Sequence, residues 1–134
     1  MPDLLVLGAG KSGVAAARAA RKAGADVLLV EKGPDAPSDA PCDVLGSAFA
    51  WAPLRSAGGH VCGARVVRGR EEILLDARVV VLACGGVAGL WQAEAPLATG
   101  DALAIAHRAG AALHRLTELR RTDGRVWIHG GVAA

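Results

Sequence analysis

The segment Leu4–Lys32, LLVLGAGKSGVAAARAARKAGADVLLVEK, constrains this chain more than any other part of it. Asp3–Gly8 is an apolar run of the kind that forms a strand buried on both faces. Lys11–Ala23 is rich in Ala, Arg and Lys, with Val14 its one β-branched residue, which predicts a helix; Gly24 follows it as a C-cap glycine would. Val27–Glu31 predicts a second buried strand, ended by Lys32-Gly33-Pro34. Together they predict a βαβ unit with parallel strands and a right-handed crossover.

Gly8, Gly10 and Gly13 form G-x-G-x-x-G between the first strand and the helix, with Ala9, Lys11 and Ser12 in the intervening positions. The first glycine allows the tight turn, the second lets backbone approach a pyrophosphate, and the third lets helix and strand pack closely. The helix N-terminus offers free N–H groups and a partial positive charge to a diphosphate. Glu31, at the end of the second strand, can accept from ribose hydroxyls and repels a 2′-phosphate. The pattern predicts an ADP-containing dinucleotide as ligand. By itself it does not separate FAD from NAD.

At 134 residues the chain is expected to form a single domain, residues 1–134. A net charge of +2 and an aromatic content of 3% argue against a nucleic-acid surface. The apolar runs, Leu4–Leu7, Val27–Val30 and Val79–Ala83, have strand length and not bilayer length, so no membrane partner is expected. No basic leader precedes Leu4. Cys42, Cys62 and Cys84 are odd in number and contain no Cys-x-x-Cys pair, which predicts a reducing compartment, the cytoplasm, and no zinc or disulfide framework.

Beyond the first unit, Pro34–Pro41 predicts a loop and Val44–Ala57 a weak helix interrupted by Pro53. Gly58-Gly59 opens three short strands, Val61–Arg68, Glu71–Asp76 and Arg78–Ala83, expected to form an antiparallel meander. Thr99–Leu113 predicts a helix with Thr99 as N-cap and Asp101 in its first turn. Thr122-Asp123-Gly124-Arg125 predicts a turn between Leu116–Arg120 and Val126–His129. The fold class that results is α/β: a Rossmann-like parallel sheet with a βαβ dinucleotide-binding unit and an antiparallel β-meander.

Three ordered blocks, the N-terminal unit, GGHVCGARVVRGREEILLDARVVVLACGG and LATGDALAIAHRAGAALHRL, resemble the FAD-binding domain of the fumarate reductase, succinate dehydrogenase and L-aspartate oxidase flavoprotein family. That family has an Ala-Thr-Gly-Gly turn after its meander and an Ala-Thr-Gly-Asp-Gly helix start. Here they read Ala83-Cys84-Gly85-Gly86 and Ala98-Thr99-Gly100-Asp101-Ala102. The resemblance implies FAD as cofactor, with Gly8, Gly10 and Gly13 facing its diphosphate, Glu31 its adenosine ribose and Lys32 beside that ribose. It implies the backbone of Val61 near the adenine, Ala83–Gly86 along the dinucleotide and Thr99–Asp101 on the flavin side. The family's long insertion after the second strand is replaced by the short Gly33–Ala57 stretch. Its capping domain, which supplies the substrate-binding Arg and His residues, has no room here, and its C-terminal ribityl-contacting block is missing. The resemblance therefore implies an FAD-binding framework of an oxidoreductase without its own substrate site, its flavin covered by a second copy or a partner chain.

No general acid or base is assigned, so whether the chain is itself an enzyme stays open. NAD is the alternative cofactor, and Lys11–Ala16 also resembles the N-terminal domain of Mur ligases. A shortened or engineered scaffold without catalytic activity is the alternative from a different class. His60, His107, His114 and His129 are scattered, with His107 and His114 expected two turns apart on one helix face, which is not metal-ligand spacing. Ser12 lacks a G-x-S-x-G frame and Gly10-Lys11-Ser12-Gly13 lacks the spacing of a P-loop. The Arg65, Arg68 and Arg70 cluster, like Arg115, Arg120, Arg121 and Arg125, is expected to be solvated, and Trp51, Trp91 and Trp127 to pack at boundaries.

Overall fold

A computed structural model describes residues 1–87, 96–116, 119–122, 125–128 and 131–132, the last three segments as backbone. Four strands, β1 (Leu4–Leu7), β2 (Val27–Val30), β3 (Asp43–Leu45) and β7 (Val79–Leu82), form a parallel sheet in the order β3-β2-β1-β7. β1 occupies a central place, with Leu4 to Leu7 in register with Val27 to Val30 on one side and Val79 to Leu82 on the other. Helix α1 (Lys11–Lys22) joins β1 to β2 as expected. It ends in a Schellman motif, with the Gly24 N–H donating to Arg21 O, the Ala25 N–H to Ala20 O and Gly24 at φ +87°.

A second, antiparallel sheet stands against the first: β4 (Ala48–Arg55), β5 (Val61–Arg68) and β6 (Glu71–Asp76), in that order. Two expectations are corrected here. The weak helix expected over Val44–Ala57 is replaced by two strands, β3 in the parallel sheet and β4 in the antiparallel one. Its alanines alternate inward, with Ala48, Ala50 and Ala52 buried and Phe49 exposed, so the period is that of a strand. Pro53 is tolerated because β4 is an edge strand whose pairing with β5 is broken by two register shifts. The third strand of the expected meander leaves it. After Ala77 the run Val79–Leu82 pairs parallel to β1, where an apolar strand of four residues fits a sheet covered on both faces.

Helix α2 is also shorter than its sequence suggests, Asp101–Arg108 and not Thr99–Leu113, because Gly110 at φ +91° ends it. Its N-cap is Gly100, and Thr99 lies one residue earlier. His107 is in this helix but His114 is in the short strand β8 (Leu113–His114), so the two share no helix face. β8 pairs with β11 (Gly131–Val132), and β9 (Leu119–Thr122) pairs antiparallel with β10 (Arg125–Ile128), starting three residues later than the expected Leu116; Asp123 and Gly124 of the expected turn lie outside the described residues. Trp91 and His129 lie outside the described residues, as does the side chain of Trp127.

The two sheets share one core. Leu5, Leu7 and Val30 of the parallel sheet meet Ala48, Ala50, Ala64 and Val66 of the meander, with Ile105 of α2 and Ala77 closing the cluster. Small alanines on the meander side let the sheets approach. On the opposite face of the parallel sheet, Val6, Val27 and Leu29 pack against Ala17 of α1. Trp51 is half-buried at the rim, with the Arg65 and Arg108 guanidinium groups 5.1 and 5.9 Å from its ring. Arg65 itself pairs with Glu72 at 2.7 Å on the exposed face, as a solvated basic group would.

Candidate functional site

The C-terminal ends of β1, β2 and β7 open into a cavity of about 460 Å³. In an open parallel sheet this is where the chain leaves strands for loops, and where ligands bind. Gly8, Gly10, Lys11 and Ser12 form one wall, Glu31 and Lys32 a second, and Ala83, Cys84 and Gly85 a third. Ala48, Phe49 and Ala50 of β4 and Leu97, Ala98 and Asp101 before and in α2 complete it. Five segments distant in sequence, around positions 10, 31, 49, 84 and 100, therefore converge.

The three glycines of the turn are required for three different reasons. Gly8 sits at φ +104°, and a Cβ there would overlap the carbonyl of Ala83. A Cβ on Gly13 would overlap the carbonyl of Gly8, so helix and turn touch through bare backbone. Gly10 has ordinary φ −70° and nothing within 4 Å of an added Cβ. The fold does not need a glycine at that position. Its backbone lines the cavity, and the space beside it is open, as expected where a ligand comes against the backbone.

Gly10 is also the N-cap of α1, so no side chain caps the helix, and its first turn holds no acidic residue. The first-turn N–H groups have no intrahelical acceptor, which leaves the positive end of the helix facing the cavity. Glu31 is held by its neighbours: Oε2 accepts from the Ala9 N–H at 2.7 Å and Oε1 from the Gly33 N–H at 2.7 Å. The carboxylate thus fixes the glycine turn to the end of β2 and still has lone pairs for ribose hydroxyls.

Lys32 and Asp101, implied by the resemblance to meet the ribose and the flavin side, meet each other: Lys32 Nζ lies 2.9 Å from Asp101 Oδ2. Thr99 joins them, its Oγ1 accepting from Lys32 Nζ at 2.7 Å and donating to Asp101 Oδ1 at 2.9 Å. Thr99 and Gly100 do not line the cavity. Gly100 instead donates its N–H to Gly86 O.

Val61 is not at the cavity either. It pairs with Arg55 at the far end of the β4–β5 ladder, whereas the cavity touches the near end at Ala48–Ala50. Those three residues were missed because the strand that carries them reads as a weak helix. Recognising the alternation of Ala48, Phe49, Ala50 and Trp51 as a strand pattern would have found them.

Cys84, where the resembled family has Thr, lines the cavity and donates its S–H to Leu7 O at 3.3 Å. Burial, with Asp101 and Glu31 nearby, pushes its thiol up to about 11, so at neutral pH it is a packed thiol and no nucleophile. Burial also raises the thiol of Cys42. All three cysteines are free. The described residues contain no cluster of His, Cys, Asp or Glu suited to a metal, and His60, His107 and His114 are exposed.

Residues 3–35 match the FAD dependent oxidoreductase family. No curated protein matches the chain significantly in sequence. Solved structures share its fold. A 3-ketosteroid-delta4-(5alpha)-dehydrogenase from Rhodococcus jostii superposes with a TM-score of 0.71 at 14% identity, over 84% of this chain and 54% of that one. A flavocytochrome c3 fumarate reductase gives 0.75 at 16% identity, over 89% of this chain and 42% of that one. Mycobacterium smegmatis Sdh1, in complex with UQ1, gives 0.77 at 15% identity, over 89% and 40%. The chain thus spans about half the length of these proteins or less. The family match thus covers the first thirty-odd residues alone, and the fold, parallel sheet and antiparallel sheet together, is one the chain shares with these three structures.

Proposed function

We propose that the chain is a single FAD-binding domain of a flavoprotein oxidoreductase, holding FAD by its ADP half. The observation that carries this reading is Gly10, a glycine in an unstrained conformation at the cavity wall, with open space where a side chain would stand. The residues present fit the cofactor. The uncapped N-terminus of α1 offers N–H donors to the diphosphate, and Glu31, already oriented by two backbone N–H groups, accepts from the adenosine ribose. Ala48–Ala50 and Leu97 offer apolar walls to the base. Ala83–Gly85 run along the dinucleotide.

FAD, when bound, supplies hydride and electron transfer on its isoalloxazine. The chain's own residues bind and orient it, and none of them is assigned a proton transfer. The substrate site and the cover of the flavin ring come from outside these residues. The match of residues 3–35 and the likeness to dehydrogenase and reductase structures support the oxidoreductase class. Three free thiols support a reducing, cytoplasmic setting. No described helix is long and apolar enough to cross a membrane.

The test is an absorbance spectrum after incubation with FAD and desalting, beside thermal shifts with FAD, ADP and NAD. Flavin bands should be retained by the wild type and lost in Gly10→Asp with its fold intact, since the new carboxylate fills the cavity and repels the diphosphate. A bare wild-type spectrum with no stabilisation by FAD overturns the reading. Stabilisation by NAD alone replaces FAD with NAD.

A further inference from the structure

Lys32 and the segment Leu97–Asp101 are joined in a way that ligand contact alone does not explain. The Lys32 ammonium donates to Leu97 O at 3.2 Å, Thr99 Oγ1 at 2.7 Å and Asp101 Oδ2 at 2.9 Å. An ammonium has three N–H donors, so all are engaged. Its positive charge lies 5.3 Å from the centroid of the Phe49 ring, and the ion pair is half-buried, with side-chain exposures of 28% and 13%. The partners lie 65 to 69 positions away in sequence. One group thus ties the end of β2 to the start of α2 along the cavity wall, with Phe49 on one side and Leu97 on the other, both side chains more than a third exposed.

We propose that Lys32 is a positioning residue that latches the strap Leu97–Asp101 across the adenosine end of the cavity, so that the cofactor enters and leaves only when the latch opens. This rests on the dinucleotide reading given above. With its three donors committed, Lys32 has none for a ribose or a phosphate while the strap is closed. Glu31, not Lys32, then faces the ribose. Asp101, held by Lys32 on one oxygen and Thr99 on the other, fixes the first turn of α2 and is not a free flavin contact.

A latch and a ligand contact leave different kinetic signatures. Lys32→Met keeps the aliphatic stem and removes the ammonium, and Thr99→Val keeps the shape and removes one acceptor. Association and release of FAD, followed by flavin fluorescence with excess ADP as the displacing ligand, should both accelerate, by roughly tenfold in Lys32→Met and less in Thr99→Val. The dissociation constant should change little, because the two rates move together. Asp101→Asn should accelerate both rates too, and the double variant with Lys32→Met should be no faster than Lys32→Met alone. Faster release with unchanged association would make Lys32 a direct contact and overturn the latch. Unchanged rates in both directions would overturn it as well. If Lys32→Met does not fold, Thr99→Val and Asp101→Asn carry the test alone. A wild type that binds neither FAD nor ADP would instead bring down the dinucleotide reading, and the latch with it.

Discussion

The two ends of the cavity are built by opposite means. At the glycine turn the wall is bare backbone: Gly8 and Gly13 are there because any side chain would strike a carbonyl, and Gly10 has open space where its side chain would stand. At the Lys32 end the wall is side chain: an ammonium, a hydroxyl and a carboxylate from two distant segments close it through hydrogen bonds of 2.7 to 3.2 Å. The first end is local in sequence and rigid by exclusion. The second is assembled by the fold, from groups 65 to 69 positions apart in sequence. A dinucleotide site needs both, a fixed cradle for the diphosphate and an entrance.

The sharpest way to break this comparison is within the glycine motif itself. Gly13→Val should destabilise the protein by at least about 3 kcal/mol in urea denaturation, since its side chain must displace the Gly8 carbonyl. A loss under about 1 kcal/mol would mean that helix and turn can separate cheaply, and the cradle would not be rigid. Ala64→Leu, between the two sheets at 0% exposure, should cost about 1–3 kcal/mol by overpacking. No loss there would show that the sheets can slide apart, which would move β4 and with it one wall of the cavity. Gly10→Ala should change stability by less than about 1 kcal/mol, because φ −70° suits alanine and the unfolded chain loses freedom, while alanine is a poorer N-cap than glycine. The same variant should bind FAD more weakly. A Gly10→Ala protein destabilised by more than about 2 kcal/mol would mean that the glycine serves the fold and not a ligand.

The same contrast explains what could be read from the sequence. The glycine end was legible because each of its constraints acts over a few residues: strand, turn, helix and terminal acid follow each other along Leu4–Glu31. The α/β class followed from it. The side-chain end was not legible. Nothing in the spacing of Lys32 and Asp101 tells that they pair, and the resemblance pointed each of them at the cofactor. β4 was misread for a related reason. Ala48, Ala50 and Ala52 favour a helix locally, but in the fold they are the small residues that let one sheet approach another, and tertiary packing overrode propensity. The run Val79–Leu82 was rightly seen as a strand. Its partner, β1, lies more than seventy residues earlier, so its pairing was invisible to a reading that joins neighbours.

Cys84 lies between the two ends and yields the smallest effect at neutral pH. Its folded-state thiol is pushed up to about 11 from an ordinary 9.0, first by burial and then by Asp101. A group whose pKa is raised on folding contributes stability that is fully present below its unfolded value and is lost as pH climbs through the folded one. Wild-type stability should therefore be flat with respect to this group up to about pH 9 and fall between about pH 9 and 11. Cys84→Ala removes that titration, and the difference between the two urea midpoints should shift against the wild type over this window and not below it; the comparison also cancels the slope due to Cys42. At pH 8, alkylation by iodoacetamide should be slower at Cys84 than at any other thiol of the chain, and bound FAD should slow it further, because the thiol lines the same cavity. Fast alkylation that FAD does not slow would place Cys84 outside the ligand's path, and would leave the cavity wall between β7 and α2 without a role in binding.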